Sequence, residues 1–194
     1  MPLKKVLAVK AAEIAAPAKL NAAAMAVLDP NFTPAAFLEE LTRQGLHTDA
    51  IRFLAHALPK REAVWWACLC VRDTMAPETP PLSVVALQAA EKWVYTSNEE
   101  NRREAMARAE ADGFNTPASW AAVAAFWSGG SMAPPNVPVV LPGETLTAAA
   151  VSGAILLAAV QREPERALEK YQRFLEYGVD IANGGNGRKR TASQ

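Results

Sequence analysis

Residues 60–73 read KREAVWWACLCVRD, and this stretch decides the fold class. Three polar residues lead into a run from Ala63 to Val71 that is apolar on every side of a helix, and charge returns at Arg72 and Asp73. A helix that is apolar all round is normally buried on all sides. The pattern therefore predicts a helix over 60–74 at the centre of a helical fold.

Helix start and stop signals repeat on both sides of this stretch. Thr33-Pro34, Thr79-Pro80 and Thr116-Pro117 each place an N-capping residue before a proline, and glycines such as Gly45 and Gly113 follow the predicted ends. Ser97 and Glu100 have the spacing of a capping box. These signals predict about eight helices in four hairpins: 34–44 with 49–58, 60–74 with 82–96, 99–111 with 117–127, and 146–161 with 164–177.

We therefore predict an all-α protein, an irregular helical bundle with α-hairpin and solenoid character. Residues 1–30 form an alanine-rich N-terminal arm, either two short helices interrupted at Pro17 or a frayed segment. Residues 31–182 form a single helical domain, which contains a proline-rich extended loop at 132–143. Residues 183–194 are glycine-rich and then basic, which is typical of a disordered tail.

Composition narrows the class of protein and its compartment. Of 194 residues, 51% are hydrophobic and 21% charged, as in globular proteins. Lys+Arg 20 balances Asp+Glu 20, which argues against nucleic-acid binding driven by overall charge. Cys68 and Cys70 stand two apart on one helix and do not face each other, so a bridge between them is geometrically poor, and free thiols fit a reducing compartment. The apolar stretch 146–160 is shorter than the roughly 20 residues of a spanning helix, so we expect a cytoplasmic protein without membrane insertion.

The sequence contains few candidates for catalysis or metal binding. His47, His56, Cys68 and Cys70 lack the spacing of zinc ligands, and no phosphate-binding loop or serine-nucleophile motif occurs. Asp49 lies near His47, but a carboxylate there is more simply explained as negative charge at a helix N-terminus. We predict no enzyme, metal or cofactor. An unfamiliar enzyme that uses His47, Asp49 or His56 remains a further alternative.

Two features favour binding of another protein. Trp65 and Trp66 are adjacent, so they point about 100° apart on a helix and cannot share one face. Core packing is the plainer interpretation of both, but tryptophan is also enriched at binding hot spots. The loop 132–143 exposes an apolar segment that a partner could cover, because long structureless connections are often functional. The candidate partner-binding residues are Trp65, Trp66, Pro134, Pro135, Val137, Pro138, Val139 and Val140.

The stretch RFLAHALPKREAVWWACLCVR, residues 52–72, resembles a family of uncharacterised bacterial proteins marked by the motif FLAxALPxREAVWWAC. That family is associated with genes near type VI secretion clusters. The resemblance implies a bacterial cytoplasmic accessory protein and transfers no catalytic residue. It also suggests Arg61-Glu62 beside the tryptophans as a structural hallmark, a charged entrance to the central helix.

The expected function is that of a non-enzymatic adaptor or chaperone-like protein that binds another protein, such as a secretion component or effector. Whether the chain also forms a homo-oligomer stays open. The alternative is a helical protein that binds a small molecule or lipid. In that case Trp65, Trp66 and the helix over 146–160 would line an apolar cavity.

Overall fold

The computed structural model describes residues 3–188, and over these residues all regular secondary structure is helical. The all-α prediction is confirmed. The elements are α1 (Ala11–Ala18), α2 (Ala22–Ala26), α3 (Pro34–Arg43), α4 (His47–Ala57), α5 (Lys60–Thr74), α6 (Pro81–Tyr95), α7 (Glu99–Ala111), α8 (Pro117–Phe126), α9 (Leu146–Gln161), a 3-10 turn (Pro164–Arg166) and α10 (Ala167–Ala182).

The eight predicted helices correspond to α3–α10, and the two additional helices lie in the N-terminal arm. The members of each predicted hairpin contact each other. Pro17 does not separate the two arm helices, because it lies inside α1. The chain turns instead at Lys19, whose backbone is left-handed with φ 50°.

Most local start signals work as the sequence indicates, and two do not. The Thr33 hydroxyl accepts a hydrogen bond from the Ala36 amide at 3.2 Å, and Thr116 caps α8 in the same way. The capping box of Ser97 is wrong, because the side chain of Asn98 caps α7. The Ser97 hydroxyl instead donates back to the Trp93 carbonyl at the end of α6. The Thr79-Pro80 signal is displaced as well, because Pro80 rather than Thr79 is the N-cap of α6, and the helix begins at Pro81, one residue before the predicted 82.

Three helices share the centre of the bundle. The helices α5, α8 and α9 all contact one another, and between Ala63 and Val71 only Trp65 and Leu69 keep some exposure. The helix predicted to be central, α5, therefore shares that position with α8 and α9. Every residue of α8 except Trp120 is buried, and its many alanines let neighbouring backbones approach closely. Small side chains thus place α8 and α9 as deep as the tryptophan-bearing helix.

Both ends of the described chain pack on the body. The Lys5 amide donates to the Ala182 carbonyl at 2.8 Å, and Asn21, which caps α2, bonds Asp49 of α4 through its amide and its side chain. At the other end, the Gly187 amide donates to the Asp180 carboxylate at 2.8 Å. Residues 183–188 of the predicted tail are therefore held against the helices, and residues 189–194 lie outside the described residues.

Candidate functional site

Trp65 lies in a surface cleft of about 440 Å³ between α5, the end of α6 and the residues after α10. The Trp65 ring meets the Tyr95 ring edge-on, with the centroids 5.7 Å apart. Its indole N–H donates to the Asn186 carbonyl at 2.9 Å. The cleft is therefore built from segments more than 100 residues apart in sequence.

The resemblance motif supplies one wall of this cleft. Arg61 and Trp65 are four residues apart, so they share a face of α5. The Arg61 Nε donates to the Val94 carbonyl at 2.7 Å, which ties the start of α5 to the end of α6. Glu62 pairs with Lys5 of the arm at 3.2 Å. The predicted charged entrance to α5 thus joins three parts of the chain.

The charges that line the cleft are unequal. Among its described lining residues, Lys5, Arg61 and Arg188 are cationic, and Glu62 alone carries a carboxylate. The Arg188 guanidinium lies over the Trp65 ring, 5.3 Å from its centroid, in a cation–π arrangement. The cleft therefore combines two aromatic surfaces with an excess of positive charge.

Trp66 occupies the core and not the surface. It is 0% exposed, and its indole N–H donates to the Phe174 carbonyl of α10 at 2.6 Å. A Cβ on Gly178 would stand 2.7 Å from the Trp66 Cε2, so the ring is closely enclosed there. Its inclusion among the partner-binding residues is therefore wrong, because the ring is enclosed against α10 and is not accessible to a partner.

The loop 132–143 is exposed, and its two sides are joined at their base. The Met132 amide donates to the Val140 carbonyl at 2.7 Å, and the Ser131 hydroxyl accepts from the amides of Ala133 and Val140, each at 3.1 Å. Val139 is 72% exposed and Leu141 67%. The other predicted loop residues are exposed as well, namely Pro134, Pro135, Val137, Pro138 and Val140.

A buried arginine of α7 anchors this loop. Arg102 is only 4% exposed, and its guanidinium donates to the carbonyls of Phe126 at 2.6 Å and Ser131 at 2.7 Å. It also pairs with Glu99 at 2.7 Å, which lowers the pKa of that carboxyl. Gly130 has φ +66°, and a Cβ there would stand 2.9 Å from the Arg102 Nε. Only glycine therefore fits this turn without a shift of the arginine.

Sequence reasoning missed Arg102 as the anchor of the loop. Its neighbour Arg103 also pairs with Glu99, at 2.6 Å, and donates to the Ala133 carbonyl at 3.0 Å. The spacing of Glu99 and Arg102 was an available signal, because residues three apart on a helix are neighbours. Arg102 points inward because it bonds the end of α8 and the start of the loop. These contacts lie too far away in sequence for a local pattern to reveal them.

The cleft and the loop stand at the same end of the bundle. Arg61 joins the start of α5 to the end of α6, and α7 starts directly after α6. Arg102, near the start of α7, reaches the carbonyl of Phe126 at the end of α8. The helix ends that border the two features are thus adjacent, while the residues that line each feature are separate.

The candidate acid–base residues have structural contacts. Asp49 is fully buried and accepts hydrogen bonds from the amide and the side chain of Asn21. It also lies in the first turn of α4, where its negative charge is close to the helix N-terminus, as predicted. Each histidine Nδ1 lies at hydrogen-bond distance from a backbone carbonyl, that of Gly45 for His47 and that of Arg52 for His56. Burial lowers the pKa of His56. None of these hydrogen bonds joins a histidine to Asp49.

The two cysteines likewise belong to the packed core. Cys68 and Cys70 are free and fully buried, and burial raises the pKa of both thiols. Within residues 3–188, no group of three or more His, Cys, Asp or Glu side chains is placed to hold a metal ion.

Over the described part of the chain, no single helix is both long and apolar enough to cross a membrane. The segments Leu146–Gln161 and Pro164–Ala182 reach that length and composition only together, and they are bent by 119° relative to each other.

Comparison with curated proteins and with solved structures found no significant match. A family model described as a family of unknown function (DUF6931) matches residues 37–182. That range contains α4–α10, the anchored loop, and the wall of the cleft formed by Arg61, Glu62, Trp65 and Tyr95. The chain therefore belongs to the DUF6931 family of unknown function.

Proposed function

We propose that this protein is a non-enzymatic adaptor or chaperone-like accessory protein that acts in the cytoplasm, with the loop 132–143 as its docking element for another protein. The observation that carries the proposal is an exposed apolar loop held in place by a buried arginine. Val139 and Leu141 are among the most exposed large apolar side chains of the described chain. Contiguous exposed apolar surface typically marks an interaction site.

The anchoring favours recognition over a passive connection. A partner that binds a flexible loop must offset the entropy of ordering it. Here the contacts of Arg102 and Ser131 already restrict the loop at its base. Four prolines, Pro134, Pro135, Pro138 and Pro142, further limit its backbone conformations. The loop can therefore present Val137–Leu141 at a low entropic cost.

The resemblance to proteins encoded near type VI secretion genes indicates which partner to test first. A component or effector of that system is our first candidate. The segment 132–143 contains no charged side chain. It therefore suits an apolar groove on the partner, because a charged loop would lose the hydration of its charges on docking.

The test is affinity purification of the tagged chain from its host, followed by mass spectrometry and a binary binding assay with the purified partner. The loop variant carries Val139→Ser and Leu141→Ser. The matched control is Leu168→Ser, which removes a 56% exposed leucine from α10. We expect one stoichiometric partner that the wild type and the control retain, and that the loop variant binds about tenfold more weakly or not at all.

A second variant tests the anchor without changing the exposed side chains. Arg102→Met removes the donors to Phe126 and Ser131, so residues 131–140 should exchange amide hydrogen faster and partner binding should weaken. The proposal is contradicted if no partner is retained, or if the loop variant and the Leu168→Ser control bind the partner equally well.

A further inference from the structure

We propose that the Trp65 cleft is a second recognition site, separate from the loop, and that it binds an acidic peptide segment. This inference goes beyond the proposed function, because it does not require the loop to bind anything. It rests on the charge of the cleft, on the way its arginines are held, and on its aromatic walls.

The charge of the cleft is complementary to carboxylates. Glu62 is already paired with Lys5 at 3.2 Å. Among residues 3–188, no carboxylate lies within ion-pair distance of Arg61 or Arg188. Two guanidinium groups in one cleft therefore have no anionic partner among the described residues. A guanidinium presents a planar fork of N–H donors that matches a carboxylate.

Both arginines are partly positioned before any ligand arrives. The Arg61 Nε is engaged by the Val94 carbonyl, so its two terminal nitrogens remain free to donate. Arg188 lies over Trp65, and that ring is itself held by its hydrogen bond to Asn186. Less side-chain freedom has to be lost on binding than for two unrestrained surface arginines.

The aromatic walls indicate that the ligand also carries apolar side chains. Tyr95 is 66% exposed although its ring packs on Trp65. Tryptophan, tyrosine and arginine are the residues most enriched at protein-binding hot spots, and all three meet in this cleft. An acidic segment with a neighbouring apolar residue would use both the guanidiniums and the rings.

A peptide fits the cleft better than a nucleic acid. Nucleic-acid sites neutralise several phosphates along a basic stripe. This cleft offers two guanidiniums without a carboxylate partner, and its wall includes the carboxylate of Glu62. The formal net charge of the chain is +0, so the overall field gives no added attraction for a polyanion.

The experiment begins with a random heptapeptide library displayed on phage and panned on the full-length chain. We expect enrichment of Asp and Glu on the wild type, and loss of that enrichment on Arg61→Gln and on Arg188→Gln. The matched control is Arg43→Gln, which removes the same charge from α3, where Arg43 pairs with Glu40. Selection of neutral or basic peptides, or of no peptide, overturns the proposal.

The enriched peptide is then synthesised together with a version in which its acids are amides, and both are titrated by NMR on tryptophan indole N–H signals. A Trp65→Phe variant assigns the Trp65 signal. We expect that signal to move with the acidic peptide only. Arg61→Gln and Arg188→Gln should each weaken binding about tenfold, and Arg43→Gln by less than about twofold.

Two outcomes would exclude the site even if a peptide binds. One is equal affinity for the acidic and amide peptides, and the other is equal affinity of Arg188→Gln and Arg43→Gln. Arg188 is the decisive position if Arg61→Gln loosens α6, because its guanidinium contacts the Trp65 ring and, within residues 3–188, joins no two helices. A single-stranded oligonucleotide that binds in an Arg61-dependent manner would also overturn the assignment to a peptide.

Discussion

Trp65 and Trp66 are neighbours in sequence with the same side chain, and they belong to different regions of the molecule. Trp66 is fully buried against α10, whereas Trp65 is half-buried in a charged cleft and bonds the residues after α10. A rotation of about 100° per residue is enough to separate them. One helix thus contributes one face to the core and the other to the cleft that we propose as a recognition site.

The two faces also differ in how closely they are packed. On the core face, Gly178 of α10 leaves no room for a Cβ beside Leu54 and Trp66. On the cleft face, Trp65 contacts Tyr95 and Arg188, which both remain accessible to solvent. Substitutions on the two faces should therefore differ in their effect on the free energy of unfolding.

The largest effect is expected for Trp66→Ala. Removal of a fully enclosed indole should lower the free energy of unfolding by about 3–5 kcal/mol, as measured by chemical denaturation. The buried thiols of Cys68 and Cys70 give a second readout, because they should react faster with a thiol reagent in this variant. A loss below about 1 kcal/mol would contradict the assignment of Trp66 to the core.

Gly178→Ala tests the same face from the side of α10. The added Cβ would stand 2.6 Å from the Leu54 Cδ2 and 2.7 Å from the Trp66 Cε2, so either α10 or the tryptophan must shift. We expect a loss of about 1–3 kcal/mol from overpacking. Gly153→Ala in α9 is the control, because a Cβ there meets nothing within 4 Å. Equal effects of the two substitutions would show that α10 packs less closely on Trp66 than described.

Trp65→Ala should be milder, with a loss of about 1 kcal/mol from the hydrogen bond to Asn186 and the ring contacts. Its stronger effect should be local. Amide exchange of residues 183–188 should accelerate, as measured by mass spectrometry, while exchange in the middle of α5 stays unchanged. If Trp65→Ala destabilises the chain as much as Trp66→Ala, the distinction between the two faces fails.

The smallest effect is expected at the outer edge of the contact between α5 and α10. The Tyr177 hydroxyl donates to Asp73 at 3.0 Å, and burial, together with this bond, raises the pKa of Tyr177 to about 12. Because the folded pKa lies above the unfolded value near 10, this stabilisation is complete below about pH 10 and is lost as the pH rises through 12.

Tyr177→Phe should therefore cost about 0.5 kcal/mol at neutral pH, and its difference from the wild type should shrink between about pH 10 and 12. Denaturation of both proteins at several pH values measures this difference. A stability difference that stays constant over that pH range would contradict the link between Tyr177 and Asp73.

The helices could be predicted because their signals are local. Thr33, Thr116, Gly45 and the apolar run of α5 act through residues three or four positions away, so a single sequence contains the whole pattern. The exceptions arise where two local signals compete. Asn98 rather than Ser97 caps α7, because the Ser97 hydroxyl bonds the preceding helix.

The candidate sites could be predicted only in part. The exposed apolar loop followed from its prolines, and Trp65 from its place beside Trp66. The other contacts of these sites join distant segments. Arg102 bonds Phe126, which is 24 residues away, and Trp65 bonds Asn186, which is 121 residues away. Tyr95 likewise reaches the cleft from a different helix. No periodicity or spacing encodes such pairs, since they depend on how whole helices pack.

The sequence by itself determined that this chain is all-helical, where most of its helices begin and end to within one or two residues, and that one helix carries two tryptophans on different faces. Only the tertiary structure decided which tryptophan is buried, that Arg102 holds the proline-rich loop, and that residues 183–188 form a wall of the cleft. The physical reason is the range of the interactions. Helix formation is controlled by contacts within one or two turns, whereas burial depends on which helices lie on either side.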